Sequence, residues 1–127
     1  MWGTSAHYDI SQARDHLELF MGDEIHRELA RETLKAFINE LIVEIDMEAY
    51  GPPLIEHFGK DGAKGWSIVQ LITTSCVTLH TCDSSRDMYL DLFSCKRFDA
   101  ERVKRFIQLW FSPRKIKYIN LGRDAPK

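Results

Sequence analysis

The chain has 127 residues, 17 Lys and Arg against 19 Asp and Glu, and is 44% hydrophobic. That length fits one domain spanning 1–127 with one core, and the apolar content excludes a disordered chain. A formal charge of −2 argues against nucleic acid as the main partner, since phosphate binding draws on a basic excess. Thr4 to Ile10 is short and mixed and reads as a first strand. Ile25, Leu29, Ala30, Leu34, Phe37, Ile38, Leu41 and Ile42 recur at three- and four-residue steps, giving one apolar helix face. Asp23, after Gly22, is its N-cap, because its carboxylate can accept the orphan N–H groups of the first turn.

Next the period changes to two. Val43, Ile45 and Met47 alternate with Glu44, Asp46 and Glu48, predicting a strand with one wet face. Gly51-Pro52-Pro53 ends it, and Gly59 to Gly65 reads as a polar loop. Trp66 to Thr74, Cys76 to Cys82 and Met88 to Ser94 are rich in β-branched, Leu and aromatic residues and predict three consecutive strands. Val103, Phe106, Ile107, Trp110 and Phe111 form a second helical stripe, with Asp99 as N-cap and Pro113 as stop. Lys115 to Leu121 makes the last strand. The predicted fold is α+β, a two-layer sandwich in which both helices cover one face of an antiparallel sheet.

The densest run of reactive side chains is Thr73-Thr-Ser-Cys-Val-Thr-Leu-His-Thr-Cys-Asp83, followed by Asp91-Leu-Phe-Ser-Cys95. Strand parity puts Ser67 and Ser75 on one side of their strand, and Cys76, Thr78, His80 and Cys82 on one face of the next. Taken alone, these residues have an ordinary reading: Thr is a common strand residue, polar groups line wet faces, and free Cys is often a small buried hydrophobe.

The run Gly65-Trp-Ser-Ile-Val-Gln-Leu-Ile-Thr-Thr-Ser-Cys-Val-Thr-Leu-His-Thr81, with Tyr89-Leu-Asp-Leu-Phe-Ser-Cys95, resembles the small bacterial and archaeal S-adenosylmethionine decarboxylase proenzymes. Their hallmark is a self-processing Ser in a Ser-x-(hydrophobic)-(Thr/Ser)-(Ile/Leu)-His-Thr segment, followed by a strand of the form (Val/Leu)-Asp-(Val/Leu)-Phe-(Thr/Ser)-Cys. Ser75, His80, Cys95 and the upstream Gly65-x-Ser67 fall in register with that pattern.

The resemblance implies specific chemistry. The Ser75 hydroxyl would attack the Thr74 carbonyl, converting amide to ester, a step that needs positioning and a proton acceptor. His80 is the implied proton-transfer residue and Ser67 the implied hydrogen-bond support. Elimination would split the chain between Thr74 and Ser75 into segments 1–74 and 75–127. Ser75 would become a covalent pyruvoyl group, the implied cofactor, which forms a Schiff base with the substrate amine and acts as electron sink. Cys95 would return a proton to the carbanion. Phe58, in Glu56-His-Phe58, is the implied aromatic partner of an adenine. The family also implies a homodimer of processed protomers acting on a small-molecule substrate, in spermidine synthesis.

Two departures bear on this. Thr74 stands where the family usually has Glu. Cys82-Asp83-Ser84 stands where it usually has Trp-Pro-Glu, whose Glu binds the ribose; Asp83 supplies a carboxylate one position earlier, although a one-residue shift reverses side-chain direction in a strand. Three readings therefore stay open: an S-adenosylmethionine decarboxylase, a pyruvoyl decarboxylase of ornithine or arginine, and an unprocessed, silent ligand-binding homologue.

The remaining features have simpler expectations. His7, His16, His26 and His57 lack ligand spacing and read as surface or loop histidines, with no metal site. Cys76 and Cys82 are too far apart on a regular strand for a disulfide. Three cysteines point to a reducing, cytoplasmic setting. No stretch has the length of a membrane span, and Met1-Trp-Gly-Thr-Ser shows no secretory pattern, so neither membrane nor export is expected. Lys104, Arg105, Arg114, Lys115 and Lys117 form a solvated basic patch.

Overall fold

A computed structural model describes residues 3–126. Six strands and two α-helices follow in the order β1 (Gly3–Ser11), α1 (Glu24–Glu44), β2 (Leu54–Phe58), β3 (Gly65–Ile72), β4 (Ser75–Thr81), β5 (Met88–Ser94), α2 (Ala100–Phe111) and β6 (Lys115–Arg123). The sheet order is β2-β3-β4-β5-β1-β6, and every neighbouring pair is antiparallel. Both helices lie on one face, which makes the expected α+β sandwich.

The core forms where the two periods meet. Ala6, Tyr8 and Ile10 of β1, Ile68 and Ile72 of β3, Val77 and Leu79 of β4, and Met88, Leu90 and Leu92 of β5 are buried on the helix side. Leu34, Phe37, Ile38, Leu41 and Ile42 of α1 and Val103, Ile107 and Phe111 of α2 close over them. Phe37 joins the helices, with ring centroids 5.4 Å from Trp110 and 4.9 Å from Phe111. Ile25 and Leu29, in the first two turns of α1, are exposed despite their place in the stripe. Asp23 caps α1 by accepting the His26 N–H at 2.9 Å. Asp99 caps α2 through the N–H groups of Glu101 and Arg102. Ser112, in the left-handed region at φ 43, ends α2 before Pro113.

The structure revises several expected boundaries. Residues 43–47 form no strand: α1 runs to Glu44, and buried Ile45 continues the step of Leu41 and Ile42. Three alternating apolar residues fit either period, and the existing helix decides. The strand preceding β3 lies beyond the Gly-Pro-Pro break, at Leu54–Phe58. The 59–65 loop contains a short 3-10 turn at Asp61–Ala63. Thr73 and Thr74 belong to a two-residue turn rather than to a strand.

Candidate active site

The face of the sheet opposite the helices is uncovered. Register places Glu56, Ser67, His80, Tyr89 and Asp9 in one cross-strand row on it. Ser67 and His80 are directly opposite each other, and the Ser67 hydroxyl lies 2.9 Å from His80 Nδ1. His80 Nε2 has no partner among the described residues, so the pair presents an imidazole with one nitrogen held and the other open. Gly65 leaves room at this end; a Cβ there would collide with the Thr81 carbonyl. Phe58, opposite Gly65 and 62% exposed, projects from the same end of the sheet.

Ser75 and Cys95 occupy the other end. The turn separates Ser67 and Ser75 onto different strands, so their expected common side is not observed. Ser75 opens β4 opposite both Ile72 and Ser94, with helix-side parity, whereas Cys76, Thr78 and His80 point to the open face. Cys82 lies just past the last residue of β4. Ser75 and His80 are therefore about 16 Å apart along an extended strand.

The turn leading into Ser75 is held from two sides. On one, the Thr73 N–H donates to the Glu48 carbonyl at 2.9 Å. On the other, the Cys95 N–H donates to the Thr74 carbonyl at 3.1 Å. Cys95 is an exposed free thiol. A cleft of about 400 Å³, lined by Gly3, Phe93, Cys95 and Arg123, opens beside it. Arg123 stacks over Phe93, 5.4 Å from the ring centroid. The Ser75 hydroxyl makes no hydrogen bond among the described residues. The arrangement joins a polarised carbonyl, an uncommitted hydroxyl and an exposed thiol. A larger cavity of about 480 Å³, between Asp9, Tyr89, Lys104 and Lys117, contains none of these groups.

The Asp83 carboxylate is not on the open face. Its N–H donates to the Lys64 carbonyl, and its carboxylate accepts from His57 Nε2 at 2.7 Å, with side chains 5% and 13% exposed for His57 and Asp83. His57 is thus a buried partner rather than a surface histidine. Its ring also packs edge-on against Trp66, on the helix side of the sheet. One open-face chain went unforeseen: Ser5 Oγ lies 3.2 Å from His7 Nε2, and His7 Nδ1 lies 2.8 Å from Asp91. Ser5 is 1% exposed, which shields its hydroxyl from an incoming carbonyl. No group of three or more His, Cys, Asp or Glu side chains among the described residues is arranged to hold a metal.

Comparison with known proteins decides the family. The S-adenosylmethionine decarboxylase family profile matches residues 25–124. The chain belongs to that family. A crystal structure of the adenosylmethionine decarboxylase from Aquifex aeolicus VF5 superposes with a TM-score of 0.71 at 16% identity, covering 98% of this chain and 92% of that one. That likeness supports the shared fold. No curated protein sequence matches. The family match extends well beyond the motif run and takes in both helices and strands β2 to β6. No helix among the described residues is long and apolar enough to cross a membrane.

Proposed function

We propose that the chain is a self-processing decarboxylase of S-adenosylmethionine, cleaved between Thr74 and Ser75, with Ser75 as precursor of its pyruvoyl group. The observation that carries this reading is the Thr74 carbonyl held by the Cys95 N–H beside an uncommitted Ser75 hydroxyl. In the processing step Ser75 Oγ bonds to the Thr74 carbonyl carbon, the C–N bond breaks, and the hydroxyl proton passes to the freed nitrogen. The Cys95 N–H already points at the oxygen on which charge develops, the geometry that stabilises such a step. Elimination then removes the Cα proton and expels the Thr74 carboxylate, and water hydrolyses the remaining imine with loss of ammonia.

These residues fit the group they would generate. When formed, it supplies an electron sink for loss of carbon dioxide. Cys95, exposed at the end of β5, holds a proton within reach of the same strand end. Cleavage also frees Ser75 from the turn that fixes its helix-side parity.

Ser67 and His80 complete this site from a second copy. Within one chain about 16 Å separates them from Ser75, but a two-fold axis through the open face lays one copy's His80 end over the other's Cys95 end. The exposed Leu54, Val69, Leu71, Tyr89, Ile119 and Leu121 of that face supply apolar area for such contact. Phe58 and His80 then flank the adenine.

One observation favours a second substrate. Asp83 points away from the open face, so the 82–84 stretch offers no Asp83 carboxylate for a ribose; the carboxylate in the Ser67–His80 row is Glu56, which has no ion-pair partner among the described residues. A cationic side chain, as in ornithine or arginine, is compatible with that row. Carbon dioxide release from S-adenosylmethionine, ornithine and arginine offered in parallel tests the assignment. Release from S-adenosylmethionine alone is expected, and release confined to ornithine or arginine would replace it. Ser75→Ala abolishes cleavage and release together; decarboxylation by that variant would refute the pyruvoyl mechanism.

A further inference from the structure

The Thr74 side chain sits in a hydrogen-bonded chain that no part of the reaction scheme uses. The Lys96 N–H donates to Ser94 Oγ at 2.9 Å. Ser94 Oγ lies 2.7 Å from Thr74 Oγ1, and both hydroxyls reach Met47 Sδ, Thr74 at 3.4 Å and Ser94 at 3.6 Å. Each hydroxyl has one proton, so one of the two donates to the other, the second donates to Met47, and Ser94 accepts from the Lys96 N–H in either case. Ser94 is 0% exposed, so water cannot substitute for a lost partner without entering the core. Its neighbour Cys95 supplies the N–H on the Thr74 carbonyl. One residue pair, 94 and 95, thus grips Thr74 at both its side chain and its carbonyl.

We propose that the Ser94–Thr74 hydroxyl pair is the positioning device for self-processing, with Ser94 a positioning residue that aims the scissile carbonyl at the Cys95 N–H. The proposal rests on the self-processing reading and adds to it the residue that sets its first step. Thr74 suits this task because its hydroxyl sits on Cβ, so holding Oγ1 anchors the Cα from which the carbonyl extends. Without the pair the turn keeps its backbone contact to Glu48, but the carbonyl is free to swing away from Cys95. The oxyanion donor would then have to be found during the reaction rather than before it.

The test follows the full chain from cell-free synthesis, measuring the uncut fraction over time on denaturing gels. Ser94→Ala is expected to slow cleavage about tenfold, the equivalent of one well-placed hydrogen bond lost in the transition state. Ser94→Thr, which keeps the hydroxyl, restores most of the rate. Thr74→Val slows cleavage similarly, and the double variant is no slower than either single one. Hydroxylamine, which cleaves an accumulated ester, does not accelerate Ser94→Ala, because the slowed step precedes the ester. Thermal melting of Ser75→Ala with and without Ser94→Ala, both uncleavable, shows a cooperative transition in each.

Cleavage of Ser94→Ala at the wild-type rate would overturn the inference, as would full rescue of that variant by hydroxylamine. Loss of cooperative melting in the Ser75→Ala/Ser94→Ala chain would also overturn it by assigning Ser94 to the fold. An uncut wild-type chain would refute the self-processing reading beneath it, an outcome distinct from wild-type cleavage that ignores Ser94.

Discussion

Replacing Asp83 by Ala separates a stabilising role from a ligand role for that carboxylate. The structure gives Asp83 one strong partner, His57 at 2.7 Å, in a buried setting beneath α1. Truncation leaves the imidazole donor buried without its acceptor, a loss of about 1–3 kcal/mol. One factor reduces this: Asp83 Oδ1 is itself buried without a hydrogen-bond partner among the described residues, and truncation removes that unsatisfied atom. The expected loss is therefore about 1–2 kcal/mol, or roughly 4–8 °C in Tm for a chain of this size. His57→Ala costs more, because it leaves a carboxylate buried and unpaired. The double variant costs less than the sum of the two. Thermal unfolding gives the stability and steady-state decarboxylation gives KM. Asp83→Ala is expected to lower Tm and leave KM unchanged. A Tm within about 2 °C of wild type with a KM raised tenfold or more would refute the reasoning, since that pattern belongs to a residue that holds substrate.

Two other outcomes follow from the fold. Leu71, half exposed on the open face beside the β3–β4 turn, is expected to carry much of the contact with a second copy. Leu71→Lys should give a monomer by light scattering, and a retained dimer would move the interface elsewhere. The Tyr8 hydroxyl donates to the Ala100 carbonyl at 2.8 Å, and burial raises its pKa well above the ordinary value near 10. Because the folded pKa is the higher one, this contribution is complete below about pH 10 and is lost as pH rises towards the folded value. Tyr8→Phe should cost about 1 kcal/mol at neutral pH and flatten the alkaline fall in stability. An unchanged alkaline limb in urea unfolding would contradict that assignment.

The sequence is most legible where local chemistry acts alone. The caps Asp23 and Asp99, the stop at Pro113 and the strands at 88–94 and 115–121 all follow from side chains adjacent in the chain. Residues 43–47 were misleading because a helix terminus and a strand share the apolar spacing of Val43, Ile45 and Met47. Leu54–Phe58 carries only five residues, including Glu56 and His57, too weak a period to stand out beside Pro52 and Pro53. The two ends of the candidate site were readable as motif positions, Ser67 with His80 and Ser75 with Cys95. Their separation was not, because it depends on a turn at Thr73–Thr74 shifting strand parity by one hairpin. Asp83 with His57, and Ser94 with Met47, meet only through tertiary packing across 26 and 47 positions.

Self-processing is tested most directly by the intact mass of freshly purified protein under denaturing, reducing conditions. Two species divided between Thr74 and Ser75 are expected, the second lacking the nitrogen of a free N-terminal Ser and carrying a ketone in its place. A single chain of full mass that stays uncut on incubation would contradict it.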